Sequence, residues 1–299
     1  MVIIMKKLGL ATALLLAMTG AQAYQFEVQG QSEYIDNSVN DKDFTGAVQG
    51  TYYFKNVDAS KGPLAEAAFL NQASNVSVAY TYGEYDVDAD NKDQTSHTFG
   101  VKGEVYVPTK FVPAYASASY SQTITDGKDN HKNNQDDNGN RYALELGAVV
   151  APNFLVAVGY TSVADQTSFD AFNQFNNGVA KAAIESETIA EDQDAITART
   201  KYVGAIDGTN MSIGFDAGLV YGENTAYNLG TTLFVTPKLS VGVSYLESDF
   251  DGIDSAIGAN VNYFITPAIA VGASFVDAND ESAKGRDTQT VGLNAKFRF

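Results

Sequence analysis

The chain has 299 residues, two histidines, no cysteine and a formal net charge of −17. The lack of cysteine excludes disulfides, thiol catalysis and cysteine–zinc centres, and the acidic balance argues against nucleic-acid binding, which needs a basic surface. Gly, Tyr and Phe number 26, 17 and 17, a bias towards strands and tight turns.

In chain order, residues 1–23 read as a secretory signal peptide. Lys6 and Lys7 form a charged start, Leu8 to Met18 an apolar stretch, and Ala21-Gln22-Ala23 a cleavage site. The apolar stretch is too short for a membrane-spanning helix, which needs about 20 residues. The mature chain is expected to begin at Tyr24 and to run to Phe299 as one unit. Beyond it, hydrophobicity alternates with a period of two. Val76, Val78, Tyr80 and Tyr82 share one phase, as do Ile213, Phe215, Ala217, Leu219 and Tyr221. The intervening positions are Gly, Ser, Thr, Asn or charged. Fourteen strands are predicted, at 24–35, 44–55, 75–86, 96–107, 113–125, 141–151, 154–164, 198–207, 211–222, 226–236, 240–250, 256–266, 269–278 and 289–299. The short connection between Tyr221 and Tyr227 leaves the count open by two.

A soluble β-sandwich also alternates, with its apolar face turned inward. Two features favour an all-β transmembrane antiparallel up-and-down barrel. The runs span about nine to twelve residues, the length of a tilted transmembrane strand. The connections also alternate between tight and long. The tight set is Pro108-Thr109-Lys110, Pro152-Asn153, Gly208-Thr209-Asn210, Pro237-Lys238 and Pro267-Ala268, with proline where a strand must end. The long, polar, acidic set covers 86–95, 126–140, 165–198, 247–255 and 277–288. That asymmetry is the mark of short periplasmic turns and long extracellular loops. The near-repeat "FVTPKLSVGVSY" (234–245) and "FITPAIAVGASF" (264–275) crosses two such tight turns. Phe234 and Phe264 lie there on the phase opposite to the lipid-facing valines, at the periplasmic rim, and are expected to point inward.

One connection breaks the rule. Residues 56–74, "NVDASKGPLAEAAFLNQAS", fall by parity at the periplasmic end yet number nineteen. Pro63, Leu64, Ala67, Ala68, Phe69 and Leu70 make an apolar, helix-prone core poorly suited to periplasmic water. A loose turn and a periplasmic partner site are the plain alternatives; the sharper expectation is a plug or gate folded into the barrel.

If Val, Leu and Phe face lipid, the other phase lines the lumen. It carries Glu27, Glu33, Lys102, Glu104, Arg141, Glu145, Lys201, Asp216, Lys296 and Arg298. Such charges are tolerated in a lumen, whereas Arg or Lys on the lipid face at the midplane costs about 2–4 kcal/mol. They either pair across the wall or set the field that a permeating solute feels. Glycines on the same phase, among them Gly214, Gly242, Gly272 and Gly292, are expected to leave the interior under-filled. No catalytic set converges: His97 stands near a strand end and His131 in a loop, with no triad-like grouping, so no enzyme is expected. The oxygen-rich stretch 126–140 lacks EF-hand spacing, and no metal or cofactor is expected. The loop 165–198 could fold over the mouth, bridge lipopolysaccharide through divalent ions, or stay in solvent.

The start "MKKLGLATALLLAMTGAQA", the first hairpin "YQFEVQGQSEY" followed by "GTYYF", and the terminal aromatic strand resemble the small outer-membrane porins of the Acinetobacter type. The resemblance covers the mature chain. It implies a fourteen-stranded monomeric channel for small polar solutes, with an inward-folded periplasmic turn after the second strand. The signal peptide, the loop asymmetry and the terminal aromatics together place the protein in the bacterial outer membrane, among lipid and lipopolysaccharide; Phe297 and Phe299 resemble the signal read by the barrel-insertion machinery, the plain alternative being an ordinary final strand with an aromatic end. The reading from sequence is therefore a passive channel. A structural or adhesive barrel with contact-making loops is the alternative.

Overall fold

The computed structural model describes residues 23–37, 44–87, 92–129, 132–165, 168–173, 188–189, 192–249, 253–280 and 287–299. Apart from Ala23, the expected signal peptide lies outside the described residues, as does His131. The described residues form fourteen strands: β1 (Ala23–Asn37), β2 (Phe44–Asp58), β3 (Asn75–Val87), β4 (Lys92–Val107), β5 (Ala114–Asp129), β6 (Lys132–Ala151) and β7 (Phe154–Asp165), then β8 (Asp194–Ala205), β9 (Ser212–Tyr221), β10 (Thr225–Thr236), β11 (Leu239–Ser248), β12 (Ile253–Thr266), β13 (Ile269–Asp280) and β14 (Thr288–Arg298). Each pairs antiparallel with its neighbours in sequence, and β1 pairs with β14 from Glu27↔Arg298 to Asn37↔Thr288. The sheet is thus a closed barrel without an edge, which is the condition for strands to cross a bilayer.

The period-two alternation decides which way each residue faces. Val78, Leu146 and Leu293 stand 59%, 67% and 66% exposed; they cover the lipid-facing outside, where apolar surface is at home. The opposite phase is buried or lines the interior: Thr51, Ser77, Thr98, Ser121 and Thr123 are all buried. Their hydroxyls bond one another across the ladder, as in Thr51–Ser77 and Thr98–Thr123, each 2.9 Å. His97 stays on the outer face. It shares a 2.8 Å hydrogen bond with the Tyr80 hydroxyl and lies against Tyr82, within the aromatic belt.

All fourteen predicted strands are present. The ambiguous connection after Tyr221 is a three-residue turn, 222–224. The strands run well into the polar segments beyond the membrane: β5 reaches Asp129 and β6 begins at Lys132. Strand pairing there needs only backbone hydrogen bonds, so it continues where both faces are wet and no apolar alternation marks it. At the other end, Pro237-Lys238 and Pro267-Ala268 are two-residue turns. The hydroxyl of the preceding threonine caps each. Thr236 accepts from the Lys238 and Leu239 amides at 3.2 and 3.0 Å, and Thr266 from the Ala268 amide at 3.2 Å.

Candidate transport pathway

The connection between β2 and β3, residues 59–74, folds into the periplasmic end of the lumen; the first three of the nineteen residues expected in it extend β2. After β2 the chain turns at Gly62, makes a 3-10 turn over Leu64–Glu66 and one helical turn over Ala67–Leu70, then leaves through Gln72 in the left-handed region. The Asn71 side chain ties the base together. Its amide donates to the Asp58 and Ala67 carbonyls at 2.8 and 2.7 Å, and the Asn71 carbonyl accepts from Lys55 Nζ at 2.7 Å.

The apolar residues of this segment each meet a different stretch of wall. Ala67, with Ala68 beside it, packs against Tyr24, Tyr53 and Val57 on β1 and β2. Leu64 packs against Phe264 and Ala270 on β12 and β13. Phe69 packs against Tyr115, Leu155 and Tyr106 on β5, β7 and β4. Pro63 is buried as well, while Leu70 is partly buried. Phe234 and Phe264 point inward, 2% and 3% exposed, so the repeated turns supply apolar floor beneath the inserted segment.

Polar contacts fix its orientation. The Leu64 amide donates to the Pro237 carbonyl at 2.8 Å, and the Leu64 carbonyl accepts from Arg298 Nη1 at 2.8 Å. Arg298 is 2% exposed. Its guanidinium lies 4.6 Å from the ring centres of both Tyr24 and Phe264 and bonds Glu27 at 2.7 Å. Glu27 also holds Lys296 at 3.0 Å. On the far wall, Glu66 pairs with Lys201 at 2.8 Å, and Lys201 Nζ stands 5.2 Å from the Phe69 ring centre.

All ten predicted lumen charges lie on the inner phase. Lys102 bonds Glu104 at 3.1 Å, and Glu104 accepts from Asn75 and the Tyr115 hydroxyl at 3.1 and 2.8 Å. Glu33 is buried and accepts from Gln31. Arg141 is buried at the edge of the central cavity, and Asp216 stands opposite Lys201 in the β8–β9 register. Two charged partners were missing from the sequence reading. Arg199 bonds Glu145 through Nε and Nη2 at 3.0 and 2.7 Å. It sits two residues before Lys201, so the alternation alone would have found it. Glu66 belongs to the inserted segment, and only the fold brings it to Lys201.

The lumen glycines are not gaps. A methyl added at Gly218 would meet Asn228, one at Gly242 would meet Asn260, and one at Gly272 would meet both Asn262 and Asn294. Each glycine sits directly opposite a cross-strand side chain that takes up its space. The space at these three glycines is therefore filled from across the ladder, while the interior as a whole stays under-filled around the central cavity.

The extracellular connection between β7 and β8 also turns inward in its described parts. Ala171 and Phe172 are buried against Ala79 on β3. The Ala171 amide donates to Ser121 and the Phe169 amide to Thr123, at 3.3 and 3.0 Å. Thr188 bonds Ser248 on β11 at 2.8 Å. The acidic stretch "AKAAIESETIAEDQDA" (180–195), whose composition favours a short helix, lies outside the described residues except for 188–189 and 192–195, and its last two residues open β8. Between this connection and the periplasmic segment is a cavity of about 540 Å³, bounded by Ala65 and Glu66 below and touched by Asp170 and Asn173 above. Its wall is polar: basic side chains with their carboxylates on β4 to β8, carboxamides on β10, β12 and β14.

A family model described as "Putative general bacterial porin" matches residues 1–299. The chain is 54% identical to the outer membrane protein Omp33 of Acinetobacter baumannii, over 93% of this chain and 99% of that one, with a TM-score of 0.68. The Ralstonia pickettii toluene transporter TbuX shares 8% identity over 93% of this chain and 90% of its own, with a TM-score of 0.56. At that identity the likeness shows the fold alone. No curated protein matches significantly.

Proposed function

The chain belongs to the general bacterial porin family of the outer membrane, and on that premise we propose that it is a passive channel for small polar solutes and ions, narrowed by residues 56–74 acting as a plug. One observation carries the reading: an inserted periplasmic segment is held against opposite walls of the barrel, on the floor of a polar cavity. Barrels of about 8 strands are filled by their own side chains, and those of 16–18 leave an aqueous channel. Fourteen strands leave room for a cavity but need only a short segment to close it. Pro63, Leu64, Ala67, Ala68, Phe69 and Leu70 form that segment, and the paired lumen charges set the field above it. The protein works as a monomer, and Phe297 and Phe299 serve as the insertion signal.

Deleting residues 60–71 raises single-channel conductance in planar bilayers and speeds the swelling of liposomes in amino acids and small sugars. Unchanged conductance counts against the plug. Absence of swelling even in the deletion variant favours a structural or adhesive barrel instead. The acidic balance of the chain enriches cations at the mouth, an effect screened over about 10 Å at 0.1 M salt. In a salt gradient the reversal potential therefore favours cations weakly, and more so at low salt; a potential favouring anions contradicts this.

A further inference from the structure

We propose that Lys201 is a solute-operated latch: a small monocarboxylate entering the lumen cavity takes the place of Glu66 on Lys201 and frees that edge of the plug. The inference rests on the reading of residues 56–74 as a plug. It starts from a difference between the two sides by which that segment is held. At Leu64 both backbone groups are engaged, the amide by Pro237 and the carbonyl by Arg298, in a pocket where Leu64 is 5% exposed and Arg298 2%. Burial keeps these bonds out of a solute's reach. At Glu66 the hold is a single ion pair, with side chains 31% and 19% exposed for Lys201 and Glu66, and both residues line the cavity.

An ion pair of that exposure contributes little by itself, and a solute carboxylate offers Lys201 the same bond. The exchange is then decided by concentration. A group tethered by a short segment competes at roughly millimolar effective concentration, so a solute at tens of millimolar outcompetes it. Asp216 is the register partner of Lys201 on β9, with its carboxylate set over Gly230 on β10. Arg199 is 34% exposed on the same phase of β8 and lines the same cavity, giving the incoming carboxylate a second cation. Glu145, paired with Arg199, and Asp216 line the same cavity, and their negative charge disfavours a dianion such as phosphate there. Phe69 lies against Lys201, so loss of the Glu66 bond also loosens the ring that packs on β5 and β7.

Single-channel recordings in planar bilayers test this with wild type, E66Q, K201M and the 60–71 deletion, in potassium chloride and in potassium acetate at equal ionic strength. Open probability is the readout, because acetate itself carries current. Wild type is expected to open several times more often in acetate than in chloride. E66Q and K201M are expected to show high open probability in chloride and no response to acetate. The exchange variant E66K/K201E restores the closed state in chloride without restoring the acetate response, which shows that the single variants are unlatched and not misfolded. Equal open probability of wild type in the two salts, with E66Q more open, overturns the solute-operated latch while the plug stands. An E66Q channel as closed as wild type in chloride also overturns it. A deletion variant indistinguishable from wild type removes the plug, and the latch with it.

Discussion

On the inner wall, size is shared between neighbours on adjacent strands. Side chains directly opposite in an antiparallel ladder stand about 4.5–5.5 Å apart at Cβ, and on the concave side of a barrel they converge further. Opposite a glycine, an asparagine can lean across into the space that a Cβ would take. Gly272 shows the rule best, since it stands opposite Asn262 on one side and Asn294 on the other. Gly272→Val therefore overpacks the wall and costs about 1–3 kcal/mol. Gly103 is the control. It faces outward, and an added Cβ there meets nothing within 4 Å, so Gly103→Ala is neutral or stabilises by up to about 1 kcal/mol as the freedom of glycine is removed. Urea midpoints of the refolded variants in lipid vesicles compare the two; equal shifts would show that the asparagines do not occupy the glycine space. Alternation assigned these glycines to the lumen, but what fills the space depends on register, which alternation within one strand does not contain.

Among the strands, the seam between β1 and β14 closes the barrel, because the first and last strands meet there. The Phe299 carbonyl accepts from the Gln25 and Phe26 amides at 3.0 and 2.8 Å, and its amide donates to Phe26 at 2.9 Å. Its ring stacks on Phe26 with centres 5.3 Å apart. Backbone and ring can be tested separately. Removing Phe299 takes away three hydrogen bonds of about 0.5–1.5 kcal/mol each, so the seam weakens in refolded protein and the barrel unfolds at lower urea. Phe299→Ala keeps the backbone bonds. If the ring is a recognition signal, that variant refolds in vitro nearly as well as wild type yet accumulates poorly in the outer membrane of cells. Normal accumulation would leave Phe299 a structural residue only. The membrane-spanning part of every strand was legible because the bilayer imposes one apolar face. The extensions of β5 and β6 were not, since outside the bilayer both faces are solvated and only the backbone pairs.

Across the molecule, the lumen is narrowed from both ends, and the two inserts differ in how far the sequence announces them. The periplasmic one is apolar where its position demands polarity, so it stands out. The extracellular one enters through Ser168 to Asn173, a polar and aromatic stretch with no periodicity, and its anchors Ser121 and Thr123 read as ordinary lumen positions. Its described parts reach β3 to β5 on one side and β11 on the other, strands about half the circumference apart. In the proposed channel a solute passes both inserts, so they act as resistances in series around the central cavity. Opening one leaves the other limiting, which fixes the outcome for combined variants. Deleting residues 169–173 raises conductance modestly, as does deleting residues 60–71, but the double deletion exceeds the sum of the two increments. Planar-bilayer conductance of the three variants measures this directly. A double variant no more conductive than the 60–71 deletion alone would leave the plug as the single constriction, and the inward turn of the extracellular connection would then pack the wall without narrowing the path.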